Sequence, residues 1–171
     1  MTIENNDDTF DYTRLRIGSG VDVHPFREGR ELWLGGVNIQ HPMGLLGHSD
    51  ADVLTHAIID AILGAAGFGD IGSMFPDSDT VYKGISSIEL LTRAWKRCRE
   101  HGMRLINIDV TLACENPIIM PHAEKMRLCL SSALNLSDPR LISIKATTTE
   151  KLGFIGREEG IAAHAVVLMY R

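Results

Sequence analysis

Residues 49–67 constrain the fold more than any other stretch. Val53, Leu54, Ala57, Ile58, Ala61, Ile62 and Ala65 recur there at helical spacing, so a helix with a broad apolar face is expected over residues 50–66. Ser49 can cap its start, Asp52 stands three residues on in the capping-box position, and Gly67 can stop it. A helix this apolar needs a sheet or other helices to cover it.

The flanking sequence supplies that cover. Residues 15–23 and 31–39 read as two strands joined by a turn containing Gly29. Residues 105–113, which alternate Ile106, Ile108, Val110 and Leu112, read as another, and residues 141–147 and 160–169 as two more. A second helix is expected over residues 87–101, with Ser86 as cap, Glu89 in the box position and Gly102 as stop. A third is expected over residues 121–134, opened by Pro121. Residues 69–84, rich in Gly, Asp, Ser and Pro, read as a loop. The chain has 171 residues, 44% of them hydrophobic, and shows no repeat or linker, which suits one core. The expected architecture is a single α+β domain, a mixed β-sheet covered by helices on one face, over residues 14–171. Residues 1–13 read as a disordered, acidic tail, unlike a signal or transit peptide.

Charge and cysteine usage narrow the function classes. A net charge of −5 offers no basic field for nucleic acid. An anionic ligand would need local help from metals, backbone amides or a few placed cations. Cys98, Cys114 and Cys129 are odd in number, far apart and form no CxxC pair. That argues for a reducing compartment, the cytoplasm, and against a disulfide scaffold. No apolar run approaches the length of a membrane span.

The chemistry concentrates in two places. Asp22 and His24 are two apart, so on a strand they share one face. With His56 on the helix they make three ligands and leave a fourth position open, the arrangement of a catalytic zinc. Asp52, His56 and Asp60 lie on one helical stripe, so either carboxylate can orient the second nitrogen of His56. The same residues also fit a chance pair, a core histidine and solvated acids, and spacing alone does not separate the readings. The second place is residues 145–157. Its three threonines can hold phosphate oxygens, and Glu150 can hold a hard cation, Mg²⁺ or Mn²⁺. A surface turn has the same composition.

Several motifs agree in order and spacing from about Leu15 to Arg171: Arg16-Ile17-Gly18-x-Gly20-Val21-Asp22-Val23-His24, Gly35-Gly36-Val37, His48-Ser49-Asp50-Ala51-Asp52-Val53, Gly69-Asp70-Ile71-Gly72-x-x-Phe75-Pro76-Asp77, Lys145-Ala146-Thr147-Thr148-Thr149-Glu150-Lys151-Leu152-Gly153-Phe154 and Gly160-Ile161-Ala162. Together they closely resemble the 2-C-methyl-D-erythritol 2,4-cyclodiphosphate synthase family of the non-mevalonate isoprenoid route. The resemblance implies a homotrimer, sheets facing the three-fold axis, with active sites between adjacent subunits. It implies a cytidine diphosphate substrate, 4-diphosphocytidyl-2-C-methyl-D-erythritol 2-phosphate, whose 2-phosphate attacks the β-phosphorus to release CMP.

By motif match, Asp22, His24 and His56 would hold Zn²⁺ or another divalent transition metal. Glu150 would hold Mg²⁺ or Mn²⁺ with the substrate phosphates, and His48 and Thr148 would stabilise the transition state. Ser49 would contact the substrate, and Asp70, Ile71, Gly72, Phe75, Pro76, Asp77, Ser78 and Asp79 its sugar side. Cys114, Glu115, Asn116, Pro117, Ile118, Ile119 and Met120, with Ala146, Thr147 and Thr149, would surround the cytidine. Phe154 and Arg157 belong to a pocket on the trimer axis that can take an isoprenoid diphosphate. The chain departs from the family pattern at Val21, where an aromatic residue is usual, at Ile118, where a Lys is common, and at His164, which replaces an acid. Two other readings share the metal site: a zinc-dependent nucleotide-diphosphate hydrolase, and a catalytically silent metal- and ligand-binding trimer. No persuasive Ser/His/Asp or Cys/His arrangement points to a protein nucleophile.

Overall fold

The computed structural model describes residues 11–76 and 78–171. Strands β1 (Leu15–Glu28), β2 (Leu32–Leu34), β3 (Val37–Ile39) and β4 (Met43–Leu45) come first. Helices α1 (Val53–Ala66), the single-turn α2 (Ile71–Met74) and α3 (Ser87–Glu100) follow. Strand β5 (Arg104–Ala113), helix α4 (Ala123–Ala133), strand β6 (Ile142–Thr147), the single-turn α5 (Gly153–Gly156) and strand β7 (Gly160–Tyr170) complete the order. Five strands form one sheet in the order β4-β1-β7-β5-β6, with β5 and β6 parallel and the other neighbours antiparallel. The chain is thus an α+β domain with a mixed sheet.

The alternation along the strands decides which face is covered. On β7, Ile161, Ala163, Ala165, Val167 and Met169 are buried, while His164 and Val166 between them are exposed. On β5, Ile108, Val110 and Leu112 point the same way into the core. Helix α1 lies on this face across β1 and β7 and is buried nearly all round, from Val53 to Ala65. Gly18 and Gly20 make the approach possible: a Cβ at Gly18 would sit 1.8 Å from the carbonyl oxygen of Ala61, and one at Gly20 would sit 2.1 Å from that of Ala57. Helix α3 packs on the far side of α1, so α1 is sandwiched between sheet and helix.

Several expectations are corrected. Residues 31–39 do not form one strand beside β1. They fold back on themselves at Gly35 and Gly36, both with positive φ, so β2 and β3 pair only with each other. Helix α1 starts three residues later than expected, because Asp52 rather than Ser49 is its N-cap and accepts from the Thr55 N–H. Gly67 does end it, in the left-handed conformation at φ 73°. Ser86 stands at the N-cap of α3 but makes no side-chain cap bond. Pro121 opens a 3-10 turn, Met120–His122, and the α-helix begins only at Ala123. The loop expected over residues 69–84 contains α2 and a second 3-10 turn, Thr80–Tyr82. Of the expected tail, residues 1–10 lie outside the described residues, and Tyr12–Arg14 form a 3-10 turn capped by Asp11. Among the described residues no helix is long and apolar enough to cross a membrane.

Candidate metal centre and active-site groove

Strand β1 aims Asp22 and His24 toward α1, and the helix returns His56 to meet them. Asp22 Oδ2 lies 3.0 Å from His24 Nε2 and 3.1 Å from His56 Nδ1, and the two ring nitrogens are 3.2 Å apart. Ligands at 2.0–2.1 Å from a tetrahedral zinc are separated by roughly 3.3 Å, so the donor set fits a divalent transition ion as it stands. Among the described residues these three form the one cluster of metal-ligand type. His24 Nδ1 faces the Leu46 carbonyl at 2.8 Å. A carbonyl only accepts, so that nitrogen keeps a proton, and Nε2 is the one that gives up its hydrogen bond to Asp22 when a metal binds.

The contacts set the charge states. Burial pushes the Asp22 carboxyl up, but the hydrogen bonds from His24 and His56 outweigh it and hold the group well below the usual carboxylate range. Burial works against a charged His56, and the Asp22 carboxylate beside it overrides that and raises its pKa above 6.5.

Neither acid expected to orient His56 does so. Asp52 is fully buried and accepts from the Gly35 and Gly36 N–H groups at 2.9 and 2.7 Å and from both Thr55 donors. It therefore pins the β2–β3 turn to the start of α1. Asp60 accepts from the Ile71 N–H at 2.7 Å and fixes the start of α2. On the helix stripe both carboxylates reach loop backbone rather than the ring. The second nitrogen of His56 meets hydroxyls instead: Ser87 Oγ at 2.8 Å and Ser49 Oγ at 3.1 Å. Sequence reading missed Ser87, a role that spacing cannot signal because it comes from the start of another helix.

A groove of about 210 Å³ opens on the triad, lined also by His48, Ile71, Gly72, Phe75 and Tyr82. A second cavity of about 390 Å³ shares Gly47, His48 and Ser49 with it and adds Arg30 and Lys83. His48, expected at the reaction centre, thus stands where the two meet, beside two cations that sequence reading overlooked because each sits in a loop outside any motif. Asp70 and Asp79 are exposed, and each uses an oxygen to cap a turn, accepting from Ser73 N–H at 2.7 Å and Val81 N–H at 3.0 Å. Pro76 and Ser78 are exposed. Asp77 lies outside the described residues.

The threonine-rich segment sits apart, since the groove draws its lining from residues 22–90. Thr148 and Glu150 are exposed, and the Thr148 hydroxyl donates to Glu150 Oε1 at 2.9 Å. Glu150 and Lys151 are left-handed, at φ 52° and 65°. Glu115, with its side chain only 4% exposed, holds this turn. It accepts from the Thr149 and Lys151 N–H groups and pairs with the Lys151 ammonium at 3.1 Å. Cys114 and Ile119 are buried, Asn116, Ile118 and Met120 exposed, and Ala146 half-buried. Thr147 is exposed, and Pro117 and Thr149 half-buried. Phe154 is 40% exposed, and Arg157 pairs with Glu159 at 2.8 Å.

An α+β domain that brings two imidazoles and a carboxylate to the floor of a groove has the make-up of a metal-dependent enzyme. The YgbB family pattern matches residues 15–170, and the chain belongs to that family. The 2-C-methyl-D-erythritol 2,4-cyclodiphosphate synthase of Shouchella clausii is 53% identical over 157 residues, which are 92% of this chain and 98% of that protein. The structure of the bifunctional IspDF from Campylobacter jejuni matches with a TM-score of 0.88 at 48% identity, over 91% of this chain and 42% of that longer one. The IspF of Plasmodium falciparum, solved as a CDP complex, matches with a TM-score of 0.81 at 34% identity, over 94% of this chain and 98% of its own.

Proposed function

We propose that this chain is a cyclodiphosphate synthase. It converts 4-diphosphocytidyl-2-C-methyl-D-erythritol 2-phosphate into 2-C-methyl-D-erythritol 2,4-cyclodiphosphate and CMP. The observation that carries the reading is the Asp22, His24 and His56 triad in a groove that adjoins His48, Arg30 and Lys83, in a chain of this family. An oxygen of the 2-phosphate forms a bond to the β-phosphorus, the bond from that phosphorus to the bridging oxygen breaks, and the electron pair leaves on CMP.

Asp22, His24 and His56 would hold a divalent transition ion, Zn²⁺ in our reading, and Glu150 would hold Mg²⁺ or Mn²⁺. When bound, such ions offset the repulsion between the two phosphates and polarise the phosphorus under attack. His48 would donate to phosphate oxygens, as would the Thr148 hydroxyl once released from Glu150, and Arg30 and Lys83 would add positive charge at the groove mouth. Ile71, Gly72 and Phe75 form the wall against the sugar. The segments 114–120 and 146–149 would take the cytidine; a cytidine nucleotide as ligand is supported by the CDP complex of the Plasmodium falciparum relative. The nucleophile is tethered to the electrophile, so positioning supplies much of the rate and no protein nucleophile is required.

The two halves of this site lie apart on one chain, and a homotrimer would join the metal half of one subunit to the threonine-rich half of the next. The uncovered sheet face supports it: Ile17, Val21 and Val23 are 74%, 61% and 46% exposed there. Phe154 and Arg157 would border an axial pocket for an isoprenoid diphosphate, with His164 in place of the usual acid. Three free thiols fit a reducing compartment, the cytoplasm. Phosphorus NMR of the protein with this substrate, Zn²⁺ and Mg²⁺ tests the reading. CMP and a cyclic diphosphate are expected, and both should vanish in His24→Ala and Glu150→Ala. A linear bisphosphate, or an unchanged substrate spectrum from metal-loaded protein, would overturn it.

A further inference from the structure

We infer that Ser87 and Asp50 are positioning residues for the metal: a chain of hydrogen bonds from the Asp50 carboxylate through the Ser87 hydroxyl fixes which nitrogen of His56 faces the ion. His56 Nδ1 faces Asp22 and His24, and its Nε2 is 2.8 Å from Ser87 Oγ. The Ser87 hydroxyl in turn donates to Asp50 Oδ1, and its backbone N–H donates to Asp50 Oδ2 at 3.0 Å. Direction follows from the inventory of donors. A carboxylate only accepts, and a serine hydroxyl has one proton. That proton goes to Asp50, so toward His56 the Ser87 oxygen can only accept, and Nε2 must carry the hydrogen. The neutral ring is then bare at Nδ1, where the metal-ligand atoms converge.

The site is built for this role. Ser87 is fully buried and His56 is 9% exposed, so water does not compete for the bond. Ser49 Oγ, which accepts from the Ala51 N–H at 3.0 Å, makes the longer of the two hydroxyl contacts to Nε2, at 3.1 Å. The same two residues anchor helix α3: Asp50, not Ser86, takes the N–H of Ser87, its first residue. The relay therefore ties the ring orientation of a ligand on α1 to the N-terminus of α3. It rests on the metal triad alone, and not on the reaction proposed above.

Competition of the purified protein with a chromophoric chelator for Zn²⁺, without substrate, tests the relay. Ser87→Ala is expected to weaken zinc binding by about 10–100-fold. Asp50→Asn is the sharper variant, being isosteric. Its amide donates to Ser87, turns the hydroxyl proton toward His56 Nε2 and favours the tautomer with a blocked Nδ1, so it is expected to lose as much. The double variant is expected to lose no more than the worse single one. Wild-type affinity in folded Asp50→Asn would overturn the relay and leave the pair as a helix anchor only. So would additive losses in the double variant.

Discussion

Nδ1 of His56 lies 3.1 Å from Oδ2 of Asp22 across 34 residues of chain. This contact joins the face of β1 to the second turn of α1, and it couples the charge of both groups to folding.

A pH dependence follows with a defined sign. His56 has a raised folded pKa, so its contribution is fully present below 6.5 and is lost as pH rises through that folded value. Asp22 has a depressed folded pKa, so its contribution is present above 3.8 and is lost only as pH falls well below it. Metal-free protein is therefore expected to lose thermal stability as pH rises above 6.5. Zinc-loaded protein is expected to gain it over the same range, as protons stop competing for the imidazole. Calorimetry of both forms checks this, and in metal-free Asp22→Asn the downward slope should be absent. A flat or rising curve for the metal-free wild type would contradict the coupling.

Asp52 is expected to matter as much to stability as the ligands do to chemistry. Its carboxylate serves four donors at 0% exposure. Asp52→Ala strands them in the core and should cost about 3–5 kcal/mol in urea unfolding. A cost below about 1 kcal/mol would show that the β2–β3 turn is held by other contacts.

Gly18 is expected to tolerate no side chain. The Cβ of an alanine would meet the Ala61 carbonyl oxygen and carbon at 1.8 and 2.8 Å, both in helix backbone that cannot step aside. Gly18→Ala should cost about 3 kcal/mol or more. A control at Gly29, whose Cβ position is open, pays only for its positive φ of 75°. Equal effects at both positions would contradict the close packing of β1 on α1.

How much of this was legible in the sequence depended on whether the signal was local. The stripe from Val53 to Ala65 reported its own burial, and Asp22, His24 and His56 are residue types whose convergence chemistry can suggest. The hairpin at Gly35-Gly36 was not legible, because residues 31–39 carry a strand composition and only the partner distinguishes a hairpin from a strand beside β1. Asp52 and Asp60 looked like neighbours of His56 along the helix, yet the loops folded over α1 claim them. Ser87 and Arg30 reach the site through tertiary contacts that leave no periodicity. Gly18 and Gly20 stood in a recognisable motif, but their reason is the thickness of a helix backbone laid on a strand.

The open face of the sheet gives a prediction about assembly. Val21 pairs with His164 across β1 and β7, and both side chains are exposed in the single chain. If three copies bury this face, Val21→Asp places a charge in an apolar interface. Sedimentation is expected to show a particle of one third the wild-type mass with the same helical content. A Val21→Asp protein of wild-type mass would place the contact elsewhere.

The central claim is ring closure without water, and mass spectrometry of the products formed in ¹⁸O-enriched water tests it most directly. Cyclic diphosphate and CMP should appear in equal amounts with no label in either. An ¹⁸O atom in CMP or in a linear bisphosphate would mean that solvent, not the substrate's own phosphate, attacks the diphosphate.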